Sequence, residues 1–191
     1  ACLAPWAAAA GAGAVFEKLS AAPNPDGIQF GFWTNGRLAP ETAREFGRRP
    51  IERVGFTKWS QLETEPGRYD WGAQFDAIEL AHRCGSSVVA CLNVSFTREI
   101  NPAASQAIPS FYPQSISNPE TRDAAKKIVY AYTQELLRRC GSILLAFDYE
   151  FMWNYAPKTP ERRDEYSAWF REACAIARRA AADMGMAGRL E

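Results

Sequence analysis

The chain has 191 residues, and its 22 lysines and arginines balance its 22 aspartates and glutamates, so the formal net charge is zero. A zero net charge gives no electrostatic reason to expect binding to nucleic acid or to an anionic membrane. Hydrophobic residues make up 47% of the chain, which is enough apolar side chain to form a core and excludes disorder as the main state. We therefore expect one folded domain or a large part of one.

The cysteines and the single histidine do not form a metal-binding pattern. The five cysteines are far apart, without a C-x-x-C pair, and His82 is the only histidine. Zinc sites of the usual type need closely spaced cysteine and histidine ligands, so we predict no metal, and no organic cofactor is implied. The odd number of cysteines also argues against a fully paired disulfide framework.

The first 26 residues differ in composition from the rest of the chain. Alanine is the commonest residue there, and no charged residue occurs before Glu17. This uncharged stretch is shorter and less apolar than the roughly 20 strongly apolar residues of a membrane span. We predict that residues 1–26 are an Ala-rich lead-in segment, that residues 27–191 form the folded domain, and that the chain has no membrane span.

From residue 27 onward, strand-like and helix-like segments alternate. The four predicted strands, each a short hydrophobic run, lie at 28–33, 51–57, 88–94 and 142–147. The predicted helices, each with apolar residues at helical spacing, lie at 40–46, about 73–84, 119–140 and from 160 to about 184. The last two begin with proline at the first helical position, a common helix start.

This alternation indicates a parallel sheet, because parallel neighbours need crossover connections. A dinucleotide-binding sheet is disfavoured, since Trp33-Thr34-Asn35-Gly36-Arg37 follows the first strand in place of a glycine-rich phosphate loop. Each strand and helix unit takes about 39 residues, so eight would need roughly 310, which suits a (β/α)8 barrel. We predict an α/β fold, a (β/α) barrel of the TIM type with about four βα units in this chain, as a half-barrel or fragment.

In such a barrel the active site lies at the carboxyl ends of the strands. Glu150 follows the fourth predicted strand and has aromatic neighbours on both sides. Partial desolvation there would raise the pKa of the carboxyl group toward the value that a general acid needs. The alternative is a helix-capping carboxylate or one paired with Arg162 or Arg163. Asp148, two residues earlier, would either tune Glu150 or pair with an arginine.

Aromatic residues near the predicted strand ends are suited to stacking on sugar rings, with amide and carboxylate groups binding the hydroxyls. The predicted substrate-binding residues are Trp33, Asn35, Trp59, Asn93, Asp148 and Trp153. Further aromatic residues at the same end are Phe111, Tyr112 and Tyr155. Ordinary core packing is the alternative for each of these rings.

Residues 59–71, with the sequence WSQLETEPGRYDW, resemble the W-s-x-x-E-p-x-x-G-x-y-d-w segment of clan A glycoside hydrolases. The resemblance is closest to the β-galactosidase-like and xylanase-like members. Ile108-Pro109-Ser110-Phe111 resembles their P-x-W element after the third strand, and residues 117–122 resemble the entry to their third helix. The resemblance covers most of the folded domain at the level of pattern.

The resemblance implies a retaining glycoside hydrolase that cleaves O-glycosidic bonds of an oligo- or polysaccharide, with Glu150 at the position of the general acid/base. Tyr149 stands where the family usually has asparagine. The family's nucleophilic glutamate closes a seventh strand, which has no counterpart in this chain. Retaining hydrolysis needs two carboxyl groups about 5–5.5 Å apart.

Three explanations of the missing nucleophile stay open. The chain is a fragment of a longer enzyme lacking its C-terminal half, which we favour; or two half-barrels self-associate; or the chain is a non-catalytic carbohydrate-binding or assembly protein. An aldolase-like enzyme that uses Lys58 with Glu150 is a further alternative.

Overall fold

The structure is a computed structural model, and it describes residues 31–34, 51–72, 75–76, 78–79, 87–100, 106–141, 144–147 and 159–190. The chain divides into two compact units, one of residues 1–55 and 72–90 and one of residues 56–71 and 91–191. The predicted lead-in segment 1–26 and the predicted helix 40–46 lie outside the described residues.

The elements whose bounds are described are six strands and four helices. Residues 72, 75–76 and 78–79 are also helical, at the place of the helix predicted from about 73 to 84. The strands are β1 Gly31–Thr34, β2 Ile51–Lys58, β3 Glu63–Glu65, β4 Arg68–Tyr69, β5 Ser87–Asn93 and β6 Leu144–Phe147. The helices are α1 Trp59–Leu62, α2 Thr97–Ile100, α3 Pro119–Cys140 and α4 Pro160–Asp183, and a 3-10 turn follows at Ala187–Arg189.

The larger sheet has four strands in the order β1-β2-β5-β6. β1 and β2 run parallel, with Gly31 opposite Ile51 and Thr34 opposite Val54. All four strands overlap the predicted hydrophobic runs, so the sequence located them correctly. The parallel pairing of the first two strands also agrees with the prediction.

The smaller sheet is a hairpin that the sequence analysis did not predict. β3 and β4 pair antiparallel, with Glu63 opposite Tyr69 and Glu65 opposite Arg68. Gly67 connects the strands with a φ of 78°, a backbone conformation in which glycine is favoured because it has no Cβ. The hairpin therefore occupies the segment that carries the family resemblance.

The prediction of a (β/α) barrel of the TIM type, as a half-barrel or otherwise, is wrong. Among the described residues there are two small sheets, and β1 and β6 stand at the two ends of the larger one. The helices directly after β2 and β5 are single turns of four residues each, so no βα unit repeats regularly. Hydrophobic periodicity locates strands, but sheet closure depends on strand tilt and stagger, which periodicity does not encode.

The two long helices of the second unit, α3 and α4, agree with the prediction and pack against each other. Asn118 caps α3 by accepting a hydrogen bond from the Thr121 backbone N–H at 3.0 Å, and Gly141 ends it with a φ of 72°. Thr159 caps α4 in the same way. These caps satisfy backbone groups that a helix end leaves without partners.

The apolar faces of both long helices are buried in the second unit. The buried residues that the spacing predicted are Ala125, Ile128, Val129, Tyr132 and Leu136 in α3, and Tyr166, Trp169, Ala173, Ala177 and Ala180 in α4. Phe170 and Met184, also in the predicted stripe, are only partly buried. The core of this unit is completed by Trp59, Leu62, Leu92, Val94, Phe96, Ile108 and Ile116.

Candidate functional site

Two of the predicted site residues, Trp59 and Asn93, have described side chains. Trp33 is placed by its backbone in β1. Asn35, Asp148, Glu150 and Trp153 lie outside the described residues. The strand before Glu150 is described, and β6 ends at Phe147, three positions before the predicted catalytic carboxyl group.

Asn93 is the last residue of β5 and is partly buried. Its side-chain Oδ1 accepts hydrogen bonds from the Ser95 backbone N–H at 3.0 Å and from the Ser95 hydroxyl at 2.6 Å. These bonds form a local turn of the type that asparagine favours. The turn sets the orientation of the amide group at the end of the strand.

Trp59 begins α1 and is fully buried. Its indole Nε1–H donates a hydrogen bond to Glu63 Oε2, and its ring centroid lies 5.3 Å from that of Tyr112. No part of the ring is open to solvent. In this structure Trp59 therefore positions Glu63, one helical turn further along the chain.

Glu63 is the centre of a buried hydrogen-bond cluster and is only 2% exposed. In addition to the Trp59 indole, the Gly67 backbone N–H donates to Oε1 at 2.6 Å. The Tyr112 hydroxyl donates to the same oxygen at 3.0 Å. We call Glu63, Trp59, Gly67 and Tyr112 the Glu63 cluster. Three donors satisfy the acceptor-only carboxylate, which offsets the cost of burying it.

Two tyrosines beside this carboxylate are held in their neutral form. Burial, together with the negative charge of Glu63, raises the pKa of Tyr69 to about 12. Burial, followed by the hydrogen bond to Glu63, also raises the pKa of Tyr112. Both phenols therefore keep their protons at neutral pH, and Tyr112 serves as a hydrogen-bond donor.

The Glu63 cluster is built for stability. The carboxylate is buried and already accepts hydrogen bonds from three donors, so it is not exposed to a substrate. Glu63 lies in the segment 59–71 that carries the resemblance, but its partner Tyr112 lies 49 positions away and could not be linked to it from the sequence. The spacing of Trp59, Glu63 and Gly67 at intervals of four was the only local signal.

A second polar cluster joins α2, the loop 106–118 and the first turn of α4. Glu99 Oε1 accepts hydrogen bonds from the Ser115 hydroxyl at 2.6 Å and from Arg162 Nη2 at 2.5 Å. Arg162 Nη1 also donates to Glu165 Oε2 at 2.6 Å. Hydrogen bonds to Glu165 and Glu99 raise the pKa of Arg162. Arg162, one of the two arginines considered as partners for Glu150, thus already binds two other carboxylates.

A third cluster of charges links the two long helices. Glu172 on α4 accepts a hydrogen bond from Arg122 Nη2 at 2.8 Å and forms an ion pair with Lys126 Nζ at 3.1 Å. Burial opposes ionisation of Glu172, but the hydrogen bonds from Arg122 and then Lys126 outweigh it and lower the pKa of Glu172 below its ordinary value of 4.5.

We expect the stabilisation by Glu172 to depend on pH. Because its pKa is lower in the folded chain than in the unfolded chain, the ion pairs contribute fully above the unfolded-state pKa and are lost as the pH falls through the folded-state pKa. Glu172→Gln should lower the free energy of unfolding by about 0.5–1 kcal/mol at neutral pH. Urea unfolding of both proteins across the acid range measures this difference. A difference that stays constant into acid would contradict the assignment.

In the described part of the chain, no group of three or more histidine, cysteine, aspartate and glutamate side chains is placed to hold a metal ion. Cys91 and Cys140 are buried, and Cys174 is partly buried. No helix among the described residues combines the length and apolar character needed to cross a membrane. A scan of protein-family models matches no family, and a search of curated proteins finds no significant match.

Proposed function

We propose that this protein is a glycoside hydrolase acting on an oligo- or polysaccharide, with Glu150 as the general acid/base. The proposal rests on the position of Glu150 in the sequence, three residues after the end of strand β6 and with aromatic residues on both sides. It also rests on the resemblance of residues 59–71 to clan A glycoside hydrolases. The sheet strand β6 supports the first point, because it ends at Phe147.

The charge pairing of Arg162 also supports this role for Glu150. A neighbouring arginine lowers the pKa of a carboxyl group, because the positive charge favours the ionised form. Arg162 is bound to Glu99 and Glu165. This pairing argues against Arg162 as the partner of Glu150 and leaves Arg163 as the other arginine considered for that role.

The chemistry assigned to Glu150 is proton donation to the glycosidic oxygen as the bond to the departing sugar breaks. A general acid of this kind typically contributes about 10²–10⁴-fold to the rate. Retaining hydrolysis also needs a second carboxyl group as nucleophile. Turnover by the chain alone therefore tests whether this chain supplies both groups.

The test is a panel of aryl glycosides assayed with the wild-type chain and with Glu150→Gln. We expect the variant to lose about 10²–10⁴-fold in kcat/KM on substrates with poor leaving groups. The loss should shrink on dinitrophenyl glycosides, because such leaving groups depart without a proton. Glu65→Gln is the matched control, since Glu65 is a glutamate with a 67% exposed side chain.

Two results would contradict the proposal. If Glu150→Gln and Glu65→Gln have equal activity, Glu150 is not the acid. If the wild-type chain binds saccharides without any turnover, hydrolysis by this chain is contradicted, and the alternative of a non-catalytic carbohydrate-binding protein is favoured. Equilibrium binding to the same saccharides separates that case from a chain that has no affinity for sugars.

A further inference from the structure

Phe111 is the one large hydrophobic side chain that is exposed in the described part of the chain, with 41% of its surface accessible. It lies in the loop 106–118, which precedes α3. Because single exposed hydrophobic side chains are common on protein surfaces, exposure alone does not make Phe111 a binding residue. The contacts of this loop therefore decide whether Phe111 is held in a fixed position.

The turn that carries Phe111 is held by hydrogen bonds on both sides. The Tyr112 backbone N–H donates to the Pro109 carbonyl at 3.1 Å, which closes the turn. The Gln114 amide donates to the carbonyls of Pro109 at 3.0 Å and Tyr112 at 2.9 Å. The Thr121 hydroxyl, in α3, donates to the Pro113 carbonyl at 2.8 Å.

The start of the loop is tied to α1. The Ser60 backbone N–H donates to the Ala107 carbonyl at 2.8 Å, and the Ser60 hydroxyl donates to the Gln106 carbonyl at 2.9 Å. Ala107 and Ile108 are buried. The backbone before and after Phe111 is thus fixed, and the exposed ring is not the end of a loose segment.

The ring of Phe111 is supported from below by the Glu63 cluster. Its centroid lies 4.9 Å from that of Tyr112, at an interplanar angle of 58°. Tyr112 is 8% exposed, is anchored through its hydroxyl to Glu63 and packs against Trp59. The ring of Phe111 therefore contacts a buried, hydrogen-bonded tyrosine, while Phe111 as a residue remains 41% exposed.

We propose that Phe111 is a stacking subsite for a sugar ring of a neutral polysaccharide. The apolar C–H face of a pyranose matches a flat aromatic ring, and a fixed ring binds at a low cost in conformational entropy. The exposed Ser110, which precedes Phe111 in the chain, adds a hydroxyl group suited to hydrogen bonds with sugar hydroxyls. This inference rests on the proposed function, since it names a second place where the same polymer is held.

The test is affinity electrophoresis of the full chain in gels that contain xylan, β-glucan or galactan, compared with gels without polysaccharide. We expect at least one of these polymers to retard the wild-type chain. Phe111→Ala should weaken retardation about fivefold to tenfold, in line with the loss of one aromatic stacking contact. Phe111→Trp should keep it, because the larger ring retains the flat face.

Phe111→Leu is the matched control, because leucine preserves an apolar side chain but has no ring face. We expect it to behave as Phe111→Ala. Equal retardation of Phe111→Leu and the wild type would overturn the proposal, since it would indicate general apolar docking. So would equal retardation of Phe111→Ala and the wild type, or a wild type that no polymer retards.

The aryl glycoside assay with Glu150→Gln keeps this inference separate from the proposed function. If turnover depends on Glu150 but the Phe111 variants are retarded as strongly as the wild type, the subsite is contradicted and the proposed hydrolase activity is supported. Retardation that depends on Phe111, with no turnover, would support the subsite and overturn the hydrolase. Thermal unfolding of each Phe111 variant confirms that the differences are not due to a loss of folding.

Discussion

Replacing Glu63 with alanine is expected to lower the free energy of unfolding by about 3–5 kcal/mol, because the change removes the shared acceptor of a buried cluster. The Trp59 indole, the Tyr112 hydroxyl and the Gly67 N–H would each lose their hydrogen-bond partner. An unsatisfied buried donor costs about 1–3 kcal/mol. The costs are not additive, since the cavity left by the side chain can admit water.

Glu63→Gln refines this prediction. Glutamine has nearly the shape of glutamate, but one acceptor oxygen is replaced by an NH₂ donor, which must then face one of the three donors. We expect a loss of about 1–3 kcal/mol. Glu65→Gln, two positions further in β3, should change the free energy of unfolding by less than about 0.5 kcal/mol, because its ion pair with Arg68 is exposed.

Urea unfolding of the three variants measures these differences. A Glu63→Gln protein that is as stable as Glu65→Gln would mean that the carboxylate of Glu63 carries no special stabilisation. In that case the buried cluster would be no more than a set of close contacts.

Trp169→Ala is expected to cost about 3–5 kcal/mol, the range for deleting a large buried aromatic side chain. Trp169, in α4, is fully buried. Its indole N–H donates to the Val94 carbonyl at 3.3 Å. Its ring meets that of Phe96 edge to face, with centroids 6.0 Å apart. It therefore joins α4 to the segment that follows β5.

Trp169→Phe separates the packing contribution from the hydrogen bond. It keeps an aromatic ring and loses the N–H, so we expect a smaller cost, about 1–2 kcal/mol. Phe111→Ala is the control for removing an exposed ring and should stay within about 0.5 kcal/mol of the wild type. Urea unfolding of the three variants measures the order of their losses in the free energy of unfolding. If Trp169→Ala is no more destabilising than Phe111→Ala, α4 does not pack on this segment.

The Glu63 cluster also clarifies what the resemblance to glycoside hydrolases means. Within residues 59–71, Trp59, Glu63 and Gly67 satisfy one another in the interior. In this structure the segment therefore makes interior contacts, and the ring of Trp59 is not exposed to a substrate. The proposed activity must be tested at Glu150, and the proposed sugar contact at Phe111.

The sequence located most of the regular elements because their signals are local. Pro119 predicted the start of α3, since proline at the first helical position is a local signal. The runs that became β1, β2, β5 and β6 were identified from hydrophobicity alone. The β3–β4 hairpin was missed because its strands have three and two residues, too few to show a period of two.

By itself the sequence determined the zero net charge, the positions of the long helices and of the main strands, and the residues that form the apolar faces of α3 and α4. These properties depend on neighbours within a few positions along the chain. Only the tertiary structure decided that the sheet is no TIM barrel, that Trp59 lies in the interior, and that Tyr112 reaches Glu63 across 49 positions. Such contacts arise from packing between distant segments, so they cannot be predicted from the spacing of residues along the chain.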